Sequence, residues 1–265
     1  MRFQDAAKDA RAVVYAGVQA DPLVARAAAL LATSTLGQRV LARAVMNGET
    51  TDPDGWRATF PTLFGPGADP VLRERSEAIL AASLEVAERG EQIRSQFRGA
   101  LVEAITERLL ARRVGADAVH RERRILFDGV RAEIHPYDVT VERDGGAEAW
   151  DCKWGARGIN GDVLHQLDDA RTNAEAEGER LTVGLVIYDA ARSCRARLAR
   201  QTAPRTATGV ATIETPAPLS SGPLPQTRLA PASPDSIGRC EEVTACPLVR
   251  AGIFVRIVPP TVTVR

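Results

Sequence analysis

Residues 136–154 read PYDVTVERDGGAEAWDCKW, and the pattern of this stretch decides the fold. Apolar and polar residues alternate on both sides of Arg143-Asp144-Gly145-Gly146, a composition suited to a tight turn. The stretch predicts a β-hairpin, one strand over about Glu133–Glu142 and the next over Ala147–Trp154. Alternation places Asp138, Thr140 and Glu142 on one face of the first strand, with Tyr137, Val139 and Val141 on the other. Asp151 and Lys153 share a face of the second strand. Hairpin pairing then brings Asp138, Asp151 and Lys153 to one end of the sheet.

Upstream, a helical pattern runs from Glu91 to about Arg113, with Leu101, Ile105 and Leu109 spaced to face a sheet. Glu103 and Glu107 lie on a neighbouring face. Gly99, one turn before Glu103, permits a close backbone approach. Gly115 ends the helix, and Val119–Phe127 predicts another strand before a turn at Asp128-Gly129. Downstream, Gly155–Gly161 is a loop, and Asp162 to about Glu177 a polar helix carrying His165 and Gln166. The apolar run Leu181–Tyr188 suits a strand buried on both faces. A basic helix over Ala191–Gln201 carries Arg192 and Arg195, and Val210–Ile213 adds a candidate edge strand. The order helix, three strands, helix, strand predicts an α/β core over residues 96–214, a mixed central sheet flanked by helices.

Residues 1–95 form an alanine-rich, helical N-terminal domain in this reading. Helices are expected over Asp5–Val18, Leu23–Met46 and Val71–Gly90, and the charged start MRFQDAAKDAR reads as helical. Asp52-Pro53-Asp54-Gly55 reads as a turn, and Phe60–Pro70 as an irregular link. After Ile213 the character changes: ten of the 16 prolines fall between Pro204 and Pro260. Residues 215–265 therefore read as a Pro-rich linker or tail, poorly ordered, with a candidate strand at Val249–Val258. A shifted reading frame near residue 205 is the other source of such a change.

The 34 basic and 34 acidic residues cancel, so binding to nucleic acid must rest on local patches rather than global charge. Only Lys8 and Lys153 are lysines; every other basic residue is arginine. Cys152, Cys194, Cys240 and Cys246 form no CxxC pair and have no histidine spaced for zinc, so reduced thiols and a cytoplasmic location are expected. No apolar run approaches the roughly 20 residues that span a bilayer, so no membrane association is expected. Walker, nucleophile-elbow and Cys–His signatures are missing, which argues against nucleotide-driven and acyl-transfer chemistry.

What remains is chemistry by carboxylates and one lysine. Hydrolysis of a phosphodiester needs an activated water and neutralisation of charge on the phosphate, and Mg²⁺ or Mn²⁺ held by few carboxylates supplies both. Asp138 and Asp151 fit as ligands, the Cys152 backbone carbonyl as a further oxygen, and Glu103 as a direct or water-holding ligand. Lys153 is a compact ammonium suited to orienting water or stabilising the transition state. In a chain that writes positive charge as arginine, a lysine at this position points to a need for the smaller cation.

Gly99-Ala100-Leu101-Val102-Glu103, Pro136-Tyr137-Asp138 and Asp151-Cys152-Lys153 together resemble the PD-(D/E)xK, or restriction-endonuclease-like, superfamily, over roughly residues 96–190. The proline stands two residues before the aspartate instead of one. The resemblance implies a metal-dependent endonuclease, with Glu103, Asp138, Asp151 and Lys153 as the site, acting on DNA in restriction, repair or phage defence. It also points to Gln166 as a polar residue near the site. Arg121, Arg123 and Arg124, with Arg192 and Arg195, are candidate phosphate contacts. A catalytically silent nucleic-acid-binding or assembly module on the same fold is the alternative. A homodimer or a defence-system partner is compatible with either.

Overall fold

The computed structural model describes residues 1–6, 10–129, 135–202 and 253–257. In chain order these form β1 (Arg2–Asp5), α1 (Ala10–Gln19), α2 (Pro22–Leu31), α3 (Leu36–Asn47), α4 (Pro53–Thr59), α5 (Pro61–Phe64), α6 (Pro70–Ala87) and α7 (Glu91–Val114). Then come β2 (Val119–Leu126), β3 (Tyr137–Arg143), β4 (Gly146–Lys153), α8 (Gly161–Ala176), β5 (Leu181–Ile187), α9 (Ala191–Thr202) and β6 (Ile253–Ile257). The fold is α/β. The six strands lie in sequence order in one mixed sheet, antiparallel from β1 through β4 and parallel from β4 through β6.

Local chemistry accounts for the helix boundaries. Thr35 accepts the Gln38 backbone N–H while the Gln38 side chain accepts the Thr35 N–H, a capping box that starts α3 and splits the expected long helix 23–46 in two. Asp52 and Pro53 do not make a turn. Asp52 accepts the N–H groups of Asp54 and Gly55, and Pro53 occupies the first helical position, so the segment opens α4. Part of the expected link 60–70 is likewise helical, as α5, and Asp69 caps α6.

The N-terminus departs from expectation most clearly. Arg2–Asp5 is not helical but an edge strand paired with β2, in register Arg2 to Leu126 through Asp5 to Arg123. Its alternation was too short to outweigh the helix-forming residues that follow. At the other edge, β6 falls within the expected strand 249–258 and pairs with β5. Residues 210–213 and the rest of the proline-rich tail lie outside the described residues.

Two apolar layers hold the sheet. Val139, Val141, Trp150 and Cys152 pack with α2, α3, α6 and α7 in one cluster. Ile125, Tyr137, Ala149, Val183 and Leu185 pack with α8 and α9 in the other. Leu101 and Ile105 of α7 are buried as their spacing required, whereas Leu109 is half-buried and Leu110 takes the deeper place. Tyr137 was expected to share a face with Val139 and Val141 but sits in the opposite layer, its hydroxyl donating to the Gln166 carbonyl at 3.4 Å. The strand changes face at Asp138. Among the described residues no helix is long and apolar enough to cross a membrane.

Leu101 lies at the centre of the layer joining α7 to the sheet, fully buried. Leu101→Ala should therefore cost about 2–5 kcal/mol of stability. Urea denaturation checks this; a change within 0.5 kcal/mol, roughly the level of an ordinary surface substitution, would contradict the packing described.

Candidate active site

The site forms where β3 separates from β4. Their pairing runs from Arg143–Gly146 to Val139–Trp150. At the next position the Asp138 carboxylate, rather than a backbone carbonyl, accepts the Cys152 N–H at 2.5 Å. This frees the start of β3 to diverge while β4 continues along β5 to Lys153 and Ile187. The hairpin turn is as read, with Gly145 at φ 83°, the left-handed conformation that suits glycine there.

Three carboxylates converge at this point. Glu103 from α7, Glu122 from β2 and Asp138 from β3 each offer an oxygen, and these oxygens all lie within 4.8 Å of one another. Glu122 adopts φ 52°, the only described non-glycine residue in the left-handed region, a state that costs of order 1–3 kcal/mol and persists only where its surroundings impose it. That distortion interrupts β2 where it passes Asp138: Arg121 pairs with Val139 and Arg123 with Tyr137, with Glu122 between.

Glu103 is buried, and both its oxygens accept hydrogen bonds from α1. Tyr15 Oη donates to Oε1, and Gln19 Nε2 donates to Oε2 at 2.7 Å and to Glu122 Oε1 at 3.1 Å. Gly99 makes room for this. A Cβ there would stand 3.0 Å from Tyr15 Oη, so the close approach expected at Gly99 is made by a tyrosine hydroxyl, not by backbone.

Lys153 bridges toward the cluster, its Nζ 2.6 Å from Asp151 Oδ1 and 3.9 Å from Asp138 Oδ2. Gly158, in the 3₁₀ turn 156–158, presses on the lysine stem; a Cβ there would be 2.6 Å from Lys153 Cβ and Cγ. The remaining oxygen of Asp151, Oδ2, is buried with no hydrogen-bond partner among the described residues.

The electrostatics follow from crowding. Burial, then the neighbouring Asp151 charge, raise the Asp138 carboxyl well above its usual range. Burial also raises Glu103, against the donors Tyr15 and Gln19, and raises Glu122, helped by the Glu103 charge. Burial disfavours the Lys153 ammonium, but Asp138 and Asp151 outweigh it and hold the amine above its ordinary value. Each acid is thus short of positive charge. The donor set is oxygen only, which suits a hard divalent cation such as Mg²⁺ or Mn²⁺, and the unbonded Asp151 oxygen leaves a further lone pair unused.

Of the residues singled out in the sequence, Glu103 and Asp138 come together and Lys153 and Asp151 adjoin them. Cys152 contributes its N–H to Asp138, while its thiol is buried in the core and donates to Thr106 Oγ1 at 3.5 Å. Gln166 donates to the His135 carbonyl at 3.2 Å, tying α8 to the segment that leads into β3. Arg121 pairs with Glu107, and Arg123 with Glu142 and Asp5; Arg124 meets no acid among the described residues. Arg192 and Arg195 are exposed on α9.

Glu122, Tyr15 and Gln19 were not anticipated. A tight turn at Asp128-Gly129 would have set Glu122 opposite His135; the longer connection slides it to Asp138. Tyr15 and Gln19 stand one helical turn apart on α1, a spacing that puts both on one face, but nothing in the sequence links that face to Glu103.

Raised carboxyl pKa values mean that the folded chain keeps protons the unfolded chain has released. The cluster's contribution to stability is therefore greatest below the ordinary carboxylate pKa of about 4 and falls as pH rises through the folded values. Asp138→Asn should raise the unfolding temperature near neutral pH in the absence of divalent metal and flatten its decline with pH. Thermal melts across an acidic-to-neutral series test this, and a lowered melting temperature at neutral pH would reverse the sign argued here.

No protein-family model, curated protein or solved structure matches this chain.

Proposed function

We propose that the protein is a metal-dependent nuclease, hydrolysing phosphodiester bonds of nucleic acid, with DNA as the favoured substrate. The observation that carries this reading is the convergence of Glu103, Glu122 and Asp138 within 4.8 Å, beside a lysine paired to two aspartates. The order α7-β2-β3-β4-α8-β5 around that cluster further supports a restriction-endonuclease-like core.

In this reading Glu103, Glu122 and Asp138 hold Mg²⁺ or Mn²⁺, with the free Asp151 oxygen at hand. Such a cation supplies the charge that neutralises phosphate oxygens and lowers the pKa of water. Lys153, kept protonated by Asp138 and Asp151, donates to the phosphate as negative charge grows on it. Asp151 aims that ammonium, and the turn at Gly158 packs its stem into one rotamer. Tyr15 and Gln19 fix the Glu103 carboxylate without using up all its lone pairs.

One observation favours the silent assembly module: both Glu103 oxygens already accept hydrogen bonds, which a cation must share or displace. Metal titration separates the two. A nuclease site binds Mn²⁺ and gains thermal stability from it, and Asp138→Asn loses that gain.

Incubation of plasmid and single-stranded DNA with Mg²⁺, Mn²⁺ or EDTA is the direct test. We expect metal-dependent cleavage, reduced about 10²–10³-fold in Lys153→Ala, the size typical for loss of one charge-stabilising donor. Gly158→Ala, which displaces Lys153 without removing it, should lower kcat while leaving Mn²⁺ affinity unchanged. Folded wild-type protein that neither binds metal nor cleaves would overturn the assignment.

A further inference from the structure

Beside the acid cluster lies a cleft of about 570 Å³, walled by α3, by Arg98 of α7 and by the loop Trp154–Gly158. Arg43, Arg98, Lys153 and Arg157 line it against a single acid, Asp189. In a chain of zero net charge this is a local concentration of cations. Arg43 is paired with Asp189 and Arg98 with Glu91, whereas Arg157 is exposed and has no partner among the described residues.

The cleft adjoins a second cavity of about 320 Å³, with which it shares the wall residues Arg43, Asn47 and Asp189. This cavity is mainly apolar. Leu36 and Val40 of α3 line it, both among the large hydrophobic side chains left exposed by the fold. Its other wall is Tyr188, almost wholly buried. Trp154, which lines the cleft, stacks on Tyr188 of the cavity at 4.9 Å between centroids and donates a 2.9 Å hydrogen bond to Asn47, which lines both.

We infer that these two spaces bind one unpaired nucleic-acid strand, phosphates along Arg43, Arg98 and Arg157 and one base in the Leu36–Val40–Tyr188 cavity. This inference rests on the proposed nuclease reading for its ligand class. Phosphates match the cations, and Lys153, which lines the cleft and pairs with Asp138 and Asp151, links it to the acid cluster. A base has flat apolar faces for Leu36 and Val40 and a polar edge for Arg43 and Asn47, which line the same cavity. A base in a duplex offers neither, because its faces are stacked and its edge is paired. The helical layer thereby becomes the part of the molecule that selects single strands, flaps or frayed ends.

Fluorescence anisotropy on the full chain in EDTA tests the inference separately from cleavage. The probes are a labelled short oligodeoxynucleotide, the RNA of the same sequence and the blunt DNA duplex. Either single strand should bind about tenfold or more tightly than the duplex, the range set by stacking of one base. Val40→Trp, an exposed position that fills the cavity, should abolish that preference. Arg157→Ala should weaken single-strand binding and lower the slope of log affinity against log salt by about one.

Equal binding of strand and duplex by wild type, absence of binding, or unchanged behaviour of both Val40→Trp and Arg157→Ala would overturn it. If plasmid or single-stranded DNA is cleaved while these variants bind as wild type does, the nuclease reading stands and this one falls. If the binding pattern holds without cleavage under any metal, the strand site stands and the nuclease reading falls.

Discussion

Carboxylates placed together in a partly buried site repel one another, and the rest of this architecture is arranged around that repulsion. At the 4.8 Å that bounds the Glu103, Glu122 and Asp138 oxygens, a pair of like charges costs roughly 3 kcal/mol at an effective dielectric of about 20. Three such pairs are a sizeable share of the stability of an ordinary domain. The cost is met locally: Lys153 bridges Asp138 and Asp151, Tyr15 and Gln19 donate to Glu103, and the Cys152 N–H is diverted to Asp138. What those groups leave unbalanced is carried by raised carboxyl pKa values or by a bound cation. This cost, and the specific contacts that offset it, are what the proposed metal site rests on.

The helices before the sheet take part in this arrangement at two points. α1 supplies the donors that hold Glu103, and α3 supplies Arg43 and Asn47 to the cleft next to Lys153. They are joined to the core by one continuous apolar layer with α7 at its centre. The proposed chemistry and its approach therefore draw on residues from both sides of residue 95, the limit that composition suggests.

How much was legible can be argued residue by residue. The hairpin was readable because Arg143-Asp144-Gly145-Gly146 demands a turn and the flanking alternation has only one register consistent with it. Glu103 and Asp138 were legible as partners through their fit as metal ligands and through the resemblance to the PD-(D/E)xK motifs, not through any local rule that brings a helix to a strand. Glu122 was not, since its place depends on the connection between β2 and β3 and on a left-handed backbone that no propensity predicts. Tyr137 was assigned the wrong face because period-two alternation presumes an unbroken ladder, and the ladder opens at Asp138.

By itself the sequence determined what is local: the hairpin, the buried run of β5, and the types of residue available for chemistry; the caps at Thr35 and Asp69 are equally local, but only the structure revealed them. Turn propensity, side-chain periodicity and capping act over a few residues, so they are written where they operate. Only the tertiary structure decided which carboxylates meet, that β1 closes one edge of the sheet, and that α1 and α3 reach the site. Those outcomes depend on register and on packing between segments as distant as Tyr15 and Glu103. Such contacts are selected by the shape of the whole core and leave no mark in either segment alone.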